Sequence, residues 1–281
     1  LRDRFLDKSL LQKASSKPQI IQYKSKAGKN KNFKLILSSS NYVRKLSNQA
    51  QDYAYYDRLH RKLSSILKNE QIQRDIIIRA VDKVKDISGS LVLKVIGPGK
   101  YAHEMLATYL SMERRRHGES ILHVWSVCDE LPWFASNKRR PDLVSTVIYK
   151  RDGKIVIDFE LIELKFVNHH ILDRERLDAI KQVEVGLNEY RHRFLFKDDH
   201  ADADYWKEEL VHYLTEKQAY SPQEVEILKE LQNTPARDIE VNLTASIDVH
   251  CYTSNVTDRH CEEVEDVVYV EVLADNYNNY I

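Results

Sequence analysis

No apolar run in this chain approaches the roughly 18 to 20 residues a membrane span needs, so no segment reads as a membrane helix. Nothing at the start resembles a signal peptide, because the basic residues there precede no apolar core stretch. Cysteine is scarce. Cys128, Cys251 and Cys261 are too few and too scattered for a disulfide framework or a zinc site, which makes a reducing, cytoplasmic setting the default. Net charge is absent too: 43 basic residues face 43 acidic ones, so bulk charge announces no nucleic-acid binder. There is no internal repeat, and the first residue is Leu1 rather than Met, which suggests an excised fragment.

What is present is a globular balance of 31% charged and 42% apolar residues over 281 positions, enough to bury the core of one large or two modest domains. Charge is unevenly spread. Leu1 to Lys34 holds ten Lys and Arg against two Asp, whereas Asp238 to Ile281 holds ten acids against Arg259 alone. A solvated arm and tail, or contact with a partner, would each account for that. The opening to about Lys34, with its Lys24-Ser-Lys-Ala-Gly-Lys-Asn-Lys piece, reads as loosely structured. Apolar residues at three and four residue steps then predict helices over Asn41 to Asn69 and Gln71 to Val84, with packing roles and no chemistry.

Ser88-Gly89-Ser90 breaks that pattern, and Leu91 to Ile96 reads as a short strand. The loop Gly97-Pro98-Gly99-Lys100 has neither the length nor the Lys-Ser/Thr ending of a phosphate-binding Walker loop, so it is a turn. Tyr101 to Arg116 is predicted helical. Its His103-Glu104 pair lacks the second histidine of a zinc protease signature. Arg114-Arg115-Arg116-His117 suits either the helix dipole or a phosphate. A strand over Ile121 to Cys128 and a polar connection from Asp129 lead to Lys138-Arg139-Arg140, three cations that fit a phosphodiester or a solvated loop equally well.

Pro141 to Phe166 is the stretch on which the rest is organised. Two apolar runs flank Arg151-Asp152-Gly153, a turn sequence that predicts a β-hairpin. Asp142 stands before the first run, and Glu163 and Lys165 interrupt the second. A strand sends residues i and i+2 to one side, so Glu163 and Lys165 project together, on the parity of Ile155, Ile157, Phe159 and Leu161. Burying such charges unpaired costs several kcal/mol, so a partner or a divalent cation is expected there. Glu160 has the other parity and should be a bystander. A charged edge strand that discourages aggregation is the bland alternative.

Helices follow over Asp173 to Arg193, Asp204 to Lys217 and Ser221 to Leu231, the last with Pro222 one place after its cap. Ile239 to Tyr252 alternates apolar and polar residues as a strand, Val267 to Leu273 forms a last one, and the end from Ala274 frays. Residues 1–95 are thus a basic, mainly helical region, 96–255 the core, and 256–281 an acidic strand and tail.

The order helix, three strands, helix, strand, with Pro141-Asp142 on the second strand and Glu163-Leu164-Lys165 on the third, resembles the PD-(D/E)xK nuclease superfamily. The resemblance covers roughly Lys100 to Tyr252. It implies an α/β, restriction endonuclease-like αβββαβ core, a mixed sheet flanked by helices, with an N-terminal helical extension. It further implies Mg²⁺ or Mn²⁺ held by Asp142, Glu163 and the backbone carbonyl of Leu164, with Lys165 orienting the attacking water or stabilising the transition state.

In that superfamily the first helix often donates a Glu, which points to Glu104, although a plain surface position suits it too. Gln182 resembles the glutamine of exonuclease-like members, but the following tyrosine, Tyr190, stands eight positions on rather than four. Lys138, Arg139 and Arg140 are the implied substrate contacts. The segment Ile171 to Gln218 is similar to nuclease segments joined to ATPase motors in bacterial anti-phage restriction systems. The implied partners are nucleic acid, with DNA favoured, an ATPase or helicase motor, and a second copy of the chain for cutting two strands. The alternatives are a catalytically inactive descendant of the fold that binds nucleic acid or protein, and an interaction subunit worked by the basic arm and acidic tail.

Overall fold

The computed structural model of the protein describes residues 18–24, 33–39, 49–67, 73–88, 91, 95, 101–115, 122–134, 139–167, 172–196, 201–217, 220–251, 260–264 and 267–273. The chain divides into two compact units, Leu1–Met105 and Leu106–Ile281. It is a mixed α/β protein. Among the described residues no helix is long and apolar enough to cross a membrane.

In the first unit, β1 (Pro18–Lys24) and β2 (Phe33–Ser39) pair antiparallel. The loose opening expected from the lysines is therefore corrected: the short apolar runs Gln19-Ile-Ile-Gln and Lys34-Leu-Ile-Leu find each other's backbone. The helices α1 (Gln49–Leu67) and α2 (Arg74–Ile87) carry the spacing predicted for them, burying Leu59, Leu63, Ile76, Ile77, Ala80 and Val84. Positions 41–48 of the first expected helix lie outside the described residues. Of the strand expected over Leu91 to Ile96, only Leu91 and Val95 are among the described residues, and the Val95 amide donates to the Leu91 carbonyl at 3.2 Å, a helical rather than a strand spacing. Ser88 explains this: its hydroxyl accepts the Leu91 amide at 3.2 Å, as a helix cap does, and Leu91 and Val95, one turn apart, are both buried. The 101–114 helix, α3 (Tyr101–Arg114), contains the boundary between the units.

The second unit is built on a mixed sheet. Its strands are β3 (Leu122–Val127), β4 (Leu143–Arg151), β5 (Lys154–Val167), β6 (Glu240–Cys251), β7 (His260–Val264) and β8 (Val267–Leu273), in the order β3-β4-β5-β6-β8-β7. The first three are antiparallel neighbours; β6 then lies parallel to β5, a placement that needs the long crossover that helices supply. The β4–β5 hairpin closes on Asp152 and Gly153, both at positive φ (52° and 78°), the two-residue turn whose twist matches that of the strands.

Between β5 and β6 run α4 (Leu172–Phe194), α5 (Ala203–Lys217) and α6 (Pro222–Asn233). The start of α6 is a capping box, with Ser221 and Glu224 exchanging hydrogen bonds and Pro222 in the first turn. These helices cover one face of the sheet. Ile155, Ile157, Phe159 and Leu161 of β5, with Ala245, Ile247 and Val249 of β6, meet Val183, Leu187, Tyr190 and Phe194 of α4 and the buried leucines of α5 and α6. Burial of this area is the main force holding the unit together. Because β5 lies between β4 and β6, Glu163 and Lys165 do not sit on an edge strand, and the anti-aggregation account of their charge is excluded.

Candidate functional site

Two clusters of ionised side chains lie on opposite faces of the sheet. The first is on the face covered by α4. The two-residue turn sets Arg151 opposite Lys154, and the same register continued to the strand end carries Leu143 opposite Ile162 and brings Asp142 beside Glu163. Asp142 is fixed from both sides: the Cys128 amide donates to its carbonyl at 2.9 Å, and its own amide donates to the Ile162 carbonyl at 3.0 Å. The Leu164 amide donates to its carboxylate at 2.8 Å. Glu163, 1% exposed, has one oxygen 2.7 Å from the Lys165 ammonium, while its other oxygen, Oε2, is buried and has no hydrogen-bond donor among the described residues.

The helix α4 supplies the rest. Gln182 accepts from Lys165 at 2.9 Å through Oε1 and donates to the Arg140 carbonyl at 3.1 Å through Nε2. Glu175 lies 3.9 Å from Lys165. Such proximity needs Gly186, one turn beyond Gln182: a Cβ there would stand 2.5 Å from Cγ of Pro141, so only glycine lets the helix press against the residue preceding Asp142.

Charge is out of balance here. Burial pushes the Asp142 carboxyl up to about 6, although the Leu164 amide and Lys165 pull the other way. Burial and then the charge of Asp142 hold Glu163 well above the usual carboxylate range, with Lys165 only partly offsetting them. Burial alone would lower Lys165, but Glu163, Asp142 and Glu175 more than reverse it and the ammonium is stabilised. The buried Cys128 thiol beside the acids is pushed up by burial and by both carboxylates, so it stays protonated. Two buried carboxylates therefore share one cation, which is the condition under which a further positive charge is attracted.

The second cluster lies on the other face. Both carboxylate oxygens of Glu160 on β5 accept from the one Arg115 Nε (2.8 and 2.9 Å), and Glu160 also accepts the Ser246 hydroxyl at 2.6 Å. Arg115 also donates to Asp248 at 2.6 and 3.0 Å; Ser111 donates to the same acid at 2.6 Å, and Arg114 completes its shell. Burial works against the charge of Asp248, yet Arg115 and Arg114 outweigh it and hold the carboxyl below its usual range. Next to it, His250 is buried, has no hydrogen-bond partner on either ring nitrogen among the described residues, and is stacked on Phe166 at 6.1 Å; burial lowers its pKa to about 4, so the ring is neutral.

The structure thus brings together Asp142, Glu163, Lys165 and Gln182, four of the five residues expected to do chemistry. Glu104 is in the first turn of α3 and belongs to the other unit, Leu1–Met105. What Leu164 turns toward Asp142 is its amide. Arg140 pairs with Asp129 at 2.5 Å, Arg139 is exposed, and Lys138 lies outside the described residues. Glu160 is off the site as its parity required, but it is the counter-ion of Arg115 rather than a bystander. The side chains of Arg114 and Arg115 are buried in ion pairs with the sheet, and Arg115 also donates to the Ser111 carbonyl at 3.2 Å in the last turn, so the helix-end role holds alongside the ion pairs.

Sequence reasoning missed Glu175, Gly186 and the Cys128 backbone. A lone glycine inside the helical pattern of α4 was the one available signal for Gly186. Among the described residues, no group of three or more His, Cys, Asp and Glu side chains is placed to hold a metal ion. The acid pair still fits a hard divalent cation, because such ions are commonly held by one or two carboxylates and complete their shells with water and phosphate; the undonated Glu163 oxygen and the raised pKa values fit the same need. No family model, curated protein or solved structure matches the chain.

Proposed function

We propose that the acid pair is the active site of a nuclease that hydrolyses phosphodiester bonds with Mg²⁺ or Mn²⁺, and that α3, β3, β4, β5, α4 and β6 form a restriction endonuclease-like core. The order of these elements and the parallel placement of β6 beside β5 support the fold reading. The observation that carries the function is the convergence of Asp142, Glu163, Lys165 and Gln182 at one end of the hairpin, where two neighbouring acids share one lysine.

Asp142 and Glu163 would hold the cation, with the Leu164 carbonyl as a further oxygen. A divalent ion so placed lowers the pKa of water and neutralises charge on the phosphate. Lys165, kept charged by its neighbours, orients the attacking water or offsets the charge that develops on the phosphoryl oxygens. Gln182 locks Lys165 and ties it to the Arg140 carbonyl, so the chain carrying Arg140 is registered to the acids. Arg139, Arg140 and Lys138 are the proposed phosphate contacts, with DNA the favoured substrate. A motor partner in anti-phage defence is proposed on the sequence resemblance of Ile171 to Gln218 alone.

A catalytically inactive relative of the fold is the second reading, favoured by one observation: Lys165 already occupies one oxygen of Glu163. Cleavage of plasmid and single-stranded DNA in Mn²⁺, compared with Glu163→Gln and Lys165→Ala, decides between them. Loss of cutting in both variants supports the nuclease; equal cutting by wild type and variants places any activity elsewhere.

A further inference from the structure

Lys165 stands between two acids held differently. Glu163, on its own strand, is buried and 2.7 Å from the ammonium; Glu175, on α4, has a side chain 32% exposed and stands at 3.9 Å, an ion pair without a hydrogen bond. Glu175 and Gln182 are seven positions apart, about two helical turns, so α4 presents both toward β5. Gln182 grips the ammonium at 2.9 Å and so forms a pivot between the two carboxylates.

A divalent cation at Asp142 and Glu163 would change which acid the lysine prefers. Both cations would draw on the Glu163 carboxylate and repel each other, and the repulsion is strong in so buried a place. Glu175 already stands 3.9 Å from the ammonium with its side chain partly solvated, so pairing with it takes less charge out of water than pairing with Glu163 does. Resting on the nuclease reading of the acid pair, we propose that Glu175 is a positioning residue that takes over Lys165 when Mg²⁺ or Mn²⁺ binds Asp142 and Glu163. The hand-over frees Glu163 for the cation while keeping the ammonium beside the acids. It also explains why α4 turns a carboxylate toward a lysine that already has a buried partner.

The test is a thermodynamic cycle on the full chain, read as Mn²⁺ affinity by calorimetry and independent of cleavage. Glu175→Gln should weaken Mn²⁺ binding about tenfold, a coupling of ordinary size for two linked sites. Lys165→Met removes the competitor and should tighten binding. In the Lys165→Met background, Glu175→Gln should then change the affinity less than about twofold, because the lysine through which it acts is gone. Glu175→Asp should restore part of the loss, and Lys165→Gln replaces Lys165→Met if the latter does not fold. An unchanged affinity in Glu175→Gln overturns the proposal. So does the same loss in both lysine backgrounds, which would make Glu175 a direct ligand or a plain long-range charge. If wild type binds no Mn²⁺, the nuclease reading fails and the hand-over falls with it; if wild type binds and the cycle is additive, only the hand-over fails.

Discussion

Glu160 and Glu163 stand three residues apart on β5 and face opposite sides of the sheet, yet they live under opposite electrostatic conditions. Toward one face, Glu160 and Asp248 meet Arg114 and Arg115, two acids against two guanidinium groups, with Ser111 and Ser246 filling further hydrogen-bond positions. Toward the other, Asp142 and Glu163 share Lys165, with Glu175 at the margin. The balanced cluster pulls Asp248 below the usual carboxylate range, while the unbalanced one leaves Asp142 and Glu163 above it. Burial is nearly equal on both faces, so burial alone does not tell a structural ion network from a site. The surplus of like charge does.

The largest effect that would sharpen or break this contrast is on stability. Asp248→Asn removes the buried acid that Arg114 and Arg115 share, leaving Arg115 to Glu160, and is expected to cost about 3–5 kcal/mol, as breaking one side of a buried pair does. Glu163→Gln removes a carboxylate that is ionised only at a cost, leaves Lys165 to Gln182 and Glu175, and is expected to change stability by less than about 1 kcal/mol or to raise it. Urea unfolding of the two variants measures both. Equal losses would mean that the two clusters are the same kind of structure and would remove the physical argument for a site at Asp142.

Next comes the contact that seats the unbalanced cluster. Gly186→Ala puts a methyl 2.5 Å from the Pro141 ring, so either the ring or α4 must move. An overpacked contact of this type costs about 1–3 kcal/mol. A shift of α4 would also pull Gln182 from the Arg140 carbonyl, so cleavage should fall more than that of a stability-matched core variant such as Leu231→Val. Cleavage falling no further than in that control would show that Gln182 needs no such close approach.

Much of the unbalanced cluster was legible in the sequence, and the balanced one was not. A strand period of two put Glu163 and Lys165 on one side and Glu160 on the other, and an Asp-Gly turn with apolar runs to either side carried Asp142 back to Glu163. Those are local rules acting within one hairpin. Arg115 and Asp248 are separated by most of the second unit, and only the packing of α3 on the sheet makes them a pair. Glu175 was similarly hidden, because which turn of α4 faces β5 depends on the fit of Gly186 against Pro141. The misread segment after Ser88 failed for another reason: five apolar positions within six residues satisfy a strand and a helical turn alike, and the Ser88 cap decided for the turn.

The pH dependence of stability separates the two faces without disturbing either. Asp142 has a folded pKa near 6, above its ordinary value of 3.8, so between those values the native chain binds more protons than the unfolded one and its contribution falls as pH rises. Glu163, raised further, acts in the same sense. His250 acts in reverse: its folded value near 4 lies below its ordinary 6.5, so stability falls as pH drops through that interval. The pairing of Asp248 stabilises the fold above the ordinary carboxylate pKa and is lost as pH falls through its depressed value. Between about pH 4.5 and 6 the two acids outweigh the histidine, so the stability of wild type should fall as pH rises; Asp142→Asn should flatten that profile and His250→Phe should steepen it. Parallel profiles for the two variants would deny the two faces their opposite electrostatics.

The smallest effect lies at the surface, where Asp129 and Arg140 pair at 2.5 Å with side chains 61% and 25% exposed. An ion pair so open to water contributes about 0–1 kcal/mol, so Asp129→Ala should scarcely move the unfolding midpoint. Its consequence should appear in binding instead. Arg140 follows directly from the carbonyl–Gln182 link to Lys165, and its guanidinium is neutralised by Asp129 in the free protein. Should a phosphate compete for that guanidinium, Asp129→Ala would bind duplex DNA more tightly at low salt, and Arg140→Ala more weakly, with a salt slope reduced by about one released counter-ion. Binding by Asp129→Ala equal to wild type, together with an unchanged salt slope in Arg140→Ala, would leave Arg140 a structural partner of Asp129 and make charge balance at the rim resemble that around Asp248 rather than that around Asp142.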